Sequence, residues 1–152
     1  MENGVTALYT ASFEGHVEVV RLLLSKSDID MNKAEDDGVT ALYIASQNGH
    51  VKILKQLMNK STPPLVNVNQ AVTNGTEKDS TPLIIASYVG NASCVEQLLL
   101  SDSIDCFALF DGKNAFDWAQ PNVRSVGLII ENEVNEKGRL EVVQLLIKAG
   151  MQ

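Results

Sequence analysis

The 152-residue sequence has few aromatic side chains, cysteines or prolines, and few positive charges. Phe, Trp and Tyr together make up 5% of it, so a core has to be built mainly from Leu, Ile, Val and Ala. The apolar content of 45% is enough for a folded chain. Cys94 and Cys106 are the only cysteines. They form no CxxC pair and cannot supply a disulfide framework, which points to two reduced thiols in an intracellular protein. Lys and Arg number 12 against 19 Asp and Glu, a formal charge of −7. Such a surface repels a phosphate backbone, which argues against nucleic acid as a ligand and favours a basic or neutral partner. No apolar run approaches the roughly 20 residues that span a bilayer. Met1 is followed by "ENGVT", not by a signal-peptide pattern. The expectation is an intracellular, cytoplasmic chain (a nuclear location stays open) without membrane contact.

What the sequence does have is repetition. "GVTALYTASFEGHVEVVR" at 4–21 returns as "GVTALYIASQNGHVKILK" at 38–55, with 11 of 18 positions identical at an offset of 34. A third copy starts at Thr81, "TPLIIASYVGNASCVEQLLL", and a weaker one at Asn114, "NAFDWAQ". Each copy reads as two short helices. Thr6, Thr40 and Thr81 stand where a hydroxyl caps a helix N-terminus. A glycine then breaks that helix and permits a tight turn. In the second helix the polar residues Glu18, Arg21 and Ser25 share one face, as do Lys52, Lys55 and Asn59, and Glu141, Gln144 and Lys148. The rest of each second helix is apolar and needs neighbours on several sides. A helix of about ten residues is marginal alone, so the pairs must stack into a solenoid.

The motif "DGVTALYIASQNGHVKILKQL" at 37–57, with closes "DIDMN" at 28–32 and "VNVN" at 66–69, resembles the ankyrin repeat. The resemblance covers nearly the whole chain and is degenerate after residue 114. It departs from the family pattern at Tyr9, Tyr43 and Ile84, where His is usual, and at Ser12, Ser46 and Ser87, in place of the second Ala. It implies an all-α repeat protein, an ankyrin-like helix-turn-helix solenoid with connecting β-hairpin loops. The expected organisation is a single domain over 1–152, with units of about 3–36, 37–78, 79–110 and an irregular 111–152.

Two regions depart from the period. Between units two and three, three extra residues fall in "STPPL" (61–65) and four in "QAVTNGTEKD" (70–79). Asn74-Gly75 is a strong turn signal and predicts an elongated finger with its tip there, or else a loose surface loop. In the C-terminal region, 122–138 reads as a shortened second helix of unit four around Val126, Ile129 and Ile130, with 139–149 as a lid helix beyond it. The other reading makes the 122–138 segment replace the first helix of a fifth unit.

No constellation for catalysis is present. His16 and His50 occupy equivalent places in different repeats, so they read as hydrogen-bonding residues of the inter-helix turn, not as metal ligands. Cys94 stands at the place of Val19 and Cys106 at that of Met31, with no histidine in register to activate either. Glu35, Asp36 and Asp37 form an exposed acidic run without the alternation of a calcium loop. Gly-rich phosphate loops and the GxSxG elbow are missing. The sequence implies no enzyme, cofactor or metal.

The resemblance therefore implies a protein-binding scaffold, expected to be a monomer, whose partner meets the hairpin tips and the inner-helix face. By alignment that surface is Val5, Phe13 and Glu14 in unit one, and Asp36, Asp37, Val39, Gln47 and Asn48 in unit two. Unit three adds Glu77, Lys78, Ser80, Tyr88 and Val89, and unit four adds Phe110, Asp111 and Lys113. Phe13, Tyr88 and Phe110 are the candidate aromatic anchors. Asn32 also resembles an asparagine-hydroxylase site of ankyrin hairpins, or simply tightens the hairpin by hydrogen bonding. Alternatives to a free-standing scaffold are the targeting segment of a larger enzyme, channel or effector, or an inhibitor of a kinase or transcription factor.

Overall fold

A computed structural model describes residues 6–59, 65–121 and 135–151. Among these, eight α-helices form four pairs: α1 (Ala7–Phe13) with α2 (Val17–Leu24), α3 (Ala41–Gln47) with α4 (Val51–Met58), α5 (Pro82–Val89) with α6 (Ala92–Leu98), and α7 (Ala115–Ala119) with α8 (Glu136–Lys148). The first helices pack in sequence as one layer, α1 on α3 on α5 on α7. The second helices form another, α2 on α4 on α6 on α8. The core lies between the layers and is mostly aliphatic, with Leu8, Val20, Leu42, Ile53, Leu57, Leu83, Ile85, Val95, Leu98, Val142 and Leu146 all buried.

Local chemistry accounts for the helix ends. The hydroxyls of Thr6, Thr40 and Thr81 accept from the backbone N–H of Tyr9, Tyr43 and Ile84 at 2.9, 3.1 and 3.4 Å. Each such cap is worth about 1 kcal/mol. Asn114 replaces threonine in the fourth pair and makes a reciprocal capping box with Asp117. At the other end of each first helix, Gly15, Gly49 and Gly90 take the left-handed conformation. The next N–H, of His16, His50 or Asn91, then donates back to the carbonyl of Ala11, Ala45 or Ala86 at 2.8–2.9 Å. This is a Schellman closure.

The turns also bond to one another. His50 Nε2 donates to the Phe13 carbonyl at 3.1 Å, and Asn91 Nδ2 donates to Ser46 and Gln47 at 2.9 and 2.8 Å. Asn135 N donates to Val89 O at 2.8 Å. The hydrogen-bonding role expected for the histidines holds for His50, whereas His16 is exposed in the first turn. A parallel ladder runs along the loops. Asn32 Nδ2 donates to Leu65 O at 2.9 Å while its Oδ1 accepts from Asn67 N at 2.6 Å. Asn69 repeats this with Ser103 O at 2.7 Å and Asp105 N at 2.8 Å. Both asparagines are thus staples between neighbouring repeats.

The hairpins are shorter than the sequence suggests. Among the described residues they appear as isolated antiparallel bridges, Ala34 with Thr40 and Phe110 with Lys113. The finger of 70–79 also differs from its expected form. Asn74 is extended (φ −139°), whereas Gly75 has positive φ (+78°) and opens a single 3-10 turn over Gly75–Glu77. The insertion lies back against the preceding hairpin: Asp37 O accepts from Thr73 N, Thr73 Oγ1 and Asn74 N at 2.8, 3.0 and 3.0 Å. Gly38 (φ +93°) is what allows this, because a Cβ there would collide with Thr73 N and lie 2.6 Å from its Oγ1.

The C-terminal assignment is corrected. Residues 139–149 are not a lid beyond the fourth unit. They belong to α8, which begins at Glu136 and packs directly on α6 and α7, in the outer-layer place that α6 holds on α4 and α5. The helix expected around Val126, Ile129 and Ile130 lies outside the described residues. Asn135 caps α8 through its side chain, which accepts from Gly138 N at 3.0 Å. Buried Arg139 donates to the carbonyls of Trp118, Ala119 and Gln120, closing the short α7.

Candidate partner-binding surface

A contact surface needs exposed atoms, and the structure divides the expected residues accordingly. Asp36, Asp37, Lys78 and Asp111 are exposed at the hairpin tips, and Phe13 and Glu14 are exposed at the end of α1. Gln47, Asn48, Glu77 and Lys113 are half-buried. Val5 lies outside the described residues. Val39, Ser80, Tyr88, Val89 and Phe110 are all buried, which corrects their reading as exposed contacts.

Each burial has a cause. Val39 and Ser80 directly precede the capping threonines, where the chain enters the core. Ser80 Oγ lies 3.1 Å from the Tyr43 hydroxyl. Tyr88 and Phe110 belong to an aromatic cluster around Trp118. Phe110 stacks on that indole at 5.3 Å and Tyr88 meets it edge-on at 5.5 Å. Trp118 Nε1 donates to Phe110 O at 3.0 Å, and Arg139 lies over the Tyr88 ring at 5.4 Å. Tyr88, Phe110 and Trp118 thus fill the core where the third pair meets the degenerate fourth. Val89 ends the fully buried α5 and offers its carbonyl to Asn135.

The tips themselves are held rigidly. Asp37 Oδ1 accepts from Val39 N at 3.0 Å, and Gly38 N donates to Glu35 O at 2.9 Å. With the finger bonded to Asp37 O, residues 35–38 and 73–79 form one ridge carrying the exposed carboxylates of Asp36, Asp37 and Asp79. Glu77 is tied inward by the Tyr43 hydroxyl, which donates to Oε2 at 2.7 Å. Burial pushes the Glu77 carboxyl above its usual range, although the Tyr43 hydrogen bond pulls the other way. Burial and the facing Glu77 carboxylate push the Tyr43 phenol well above its usual value. Tyr43 therefore stays a donor and fixes the base of the ridge. At the next tip, Lys113 Nζ lies 3.8 Å from Asp111 Oδ2 and 4.9 Å from the Trp118 ring centre.

One exposed aromatic was missed. Phe107 is 71% exposed, beside exposed Leu109. Its N–H bonds to Asp105 Oδ1 at 2.9 Å, as Asn32 bonds to Asp30 and Asn69 to Asn67. Phe107 therefore occupies the place of the stapling asparagines, and aligning D-x-N, N-x-N and D-x-F would have singled it out. The two thiols are poor nucleophiles: burial raises Cys94 to about 12, and burial followed by the Asp105 charge raises Cys106. Among the described residues no group of His, Cys, Asp and Glu could hold a metal ion, and no helix is long and apolar enough to cross a membrane.

Stacked helix pairs in two layers, with hydrogen-bonded turns and hairpin bridges before α3 and α7, define a helical-repeat solenoid. A family model of ankyrin repeats in three copies matches residues 1–69, and a model of the single ankyrin repeat matches 78–109. The chain belongs to the ankyrin-repeat family, whose members are generally protein–protein interaction modules without catalytic activity. Residues 110–152, which supply Phe110, Trp118 and α8, lie outside both matches. No curated protein matches the sequence.

Proposed function

We propose that this chain binds a basic protein partner through the acidic ridge of its second and third hairpins together with the exposed end of α1. The contact residues are Asp36, Asp37, Glu77 and Lys78 on the ridge, Phe13, Glu14, Gln47 and Asn48 at the ends of α1 and α3, and Asp111 and Lys113 at the last tip. The observation that carries this reading is the triple hydrogen bonding of Asp37 O by Thr73 and Asn74. It makes two neighbouring tips one pre-ordered surface, so little conformational entropy is lost on association. The exposed carboxylates steer a basic partner and contribute more to association rate than to affinity. Phe13, 38% exposed, is the anchor within the described part of this surface.

The role is that of a non-catalytic scaffold inside the cell. Recruitment within a larger assembly would use the same surface. The test compares capture from native extract by the intact chain and by a triple variant, Phe13→Ala with Asp36→Ala and Asp37→Ala. Circular dichroism confirms that both are folded. A partner retained by the first, lost by the variant and released by moderate salt supports the reading. Equal retention by both places recognition elsewhere.

A further inference from the structure

In the repeat register, the first and last of the described second helices, α2 and α8, each leave an apolar face open. On the second helices, position 19 and its counterparts face the preceding repeat. Ile53, Cys94 and Val142 are fully or almost fully buried there, whereas Val19 is 45% exposed. Leu22 is 56% exposed, while its counterparts Gln56, Gln97 and Leu145 are half-buried. The opposite side of the same helices carries positions 17, 20 and 24, which face the following repeat. On α8 these are Leu140, Val143 and Ile147, spaced by three and four residues and so on one face. Leu140 is 53% exposed and Ile147 is 51% exposed, and Val143 is half-buried where Val20, Leu54 and Val95 are wholly buried.

Four of the nine large exposed hydrophobics in the described residues are Val19 and Leu22 at one end and Leu140 and Ile147 at the other. The two ends thus display the complementary halves of an interface that the molecule already makes three times, α2 on α4, α4 on α6 and α6 on α8. From this we infer that the chain associates head to tail with further copies of itself, with the Val19–Leu22 face of one copy packing on the Leu140–Val143–Ile147 face of the next. Such a contact is heterologous and does not close on itself, so assembly proceeds beyond a dimer. It continues the solenoid and leaves the acidic ridge free, repeating that ridge along a longer surface. Each copy carries a charge of −7, so the copies repel and association strengthens as salt rises.

Sedimentation velocity tests this on the full chain from micromolar to millimolar concentration. The wild type should show a sedimentation coefficient that climbs with concentration, more steeply at higher salt. Val19→Glu with Leu22→Glu blocks one face and Leu140→Glu with Ile147→Glu blocks the other. All four positions are at least 45% exposed, and circular dichroism verifies folding. If a double variant unfolds, Leu22→Glu alone and Ile147→Glu alone carry the same comparison. Each blocked chain should remain a monomer by itself, yet an equimolar mixture of the two should form a one-to-one dimer through the intact faces. A wild type that stays monomeric throughout overturns the inference. So does self-association of either blocked chain, which would mean a symmetric contact, and so does a mixture that fails to pair.

Discussion

Replacing Gly90 with alanine tests how α8 is seated. Gly90 ends α5 at φ +86°, a conformation that costs an L side chain about 1–2 kcal/mol. The added Cβ would also collide with the carbonyl oxygen of Asn135 and lie 2.8 Å from Arg139 N. Both are backbone atoms at the start of α8, so no side-chain rotation relieves the clash. The helix must move off α5, weakening the 2.8 Å bond from Asn135 N to Val89 O and the Arg139 bonds to α7. Loss of a buried hydrogen bond costs about 1–3 kcal/mol, so the total is about 3 kcal/mol or more. Gly112 is the control. Its φ is +70° but nothing lies within 4 Å of a Cβ built there, so Gly112→Ala carries only the backbone cost of about 1 kcal/mol. Urea unfolding followed by fluorescence of Trp118, the single tryptophan, buried beside α8, reads both. The difference of about 2 kcal/mol corresponds to a midpoint lower by about 1 M for the Gly90 variant. Equal midpoints for the two variants would refute the seating of α8 on the Gly90 turn.

Arg139→Met should destabilise the fold by about 3 kcal/mol, because it leaves the carbonyls at the end of α7 unpaired; amide exchange in α7 should accelerate more than in α3. Tyr43→Phe should cost about 1–2 kcal/mol through loss of the bond to Glu77, and carboxyl-carbon NMR should show Glu77 titrating at higher pH than in the wild type. Because the folded Glu77 pKa is already raised, the folded state keeps a proton that the unfolded state has released. The stability from that proton is present below the unfolded value and lost as pH rises through the folded one. Glu77→Gln should remove this dependence, and an unchanged slope of unfolding free energy between pH 4 and 7 would contradict it. Alkylation of the native protein should modify half-buried Cys106 well before buried Cys94, whose thiol is raised to about 12; equal rates by mass spectrometry would contradict the burial of Cys94.

The 34-residue register, the threonine caps, the glycine turns and the water-facing stripe of the second helices were all legible in the sequence. The register is read by comparing the copies, and the caps and turns rest on interactions within one repeat, between residues three to five apart. All nine residues of the three polar stripes are indeed exposed. What was not legible depends on which residue meets which across repeats. Alignment places Tyr88 and Phe110 at positions open to a partner, but nothing local reveals that Trp118 lies between them, or that Arg139 covers Tyr88 from another helix. Nothing in "QAVTNGTEKD" says that the insertion will fold onto Asp37, because the acceptor lies 36 residues from Thr73. The placement of α8 was equally hidden, since its partners α6 and α7 are separated from it by residues with no repeat pattern. Local periodicity determines that the chain is a stack of helix pairs. Only tertiary contact decides which side chains remain on the surface of the stack, since burial depends on the neighbour and not on the residue.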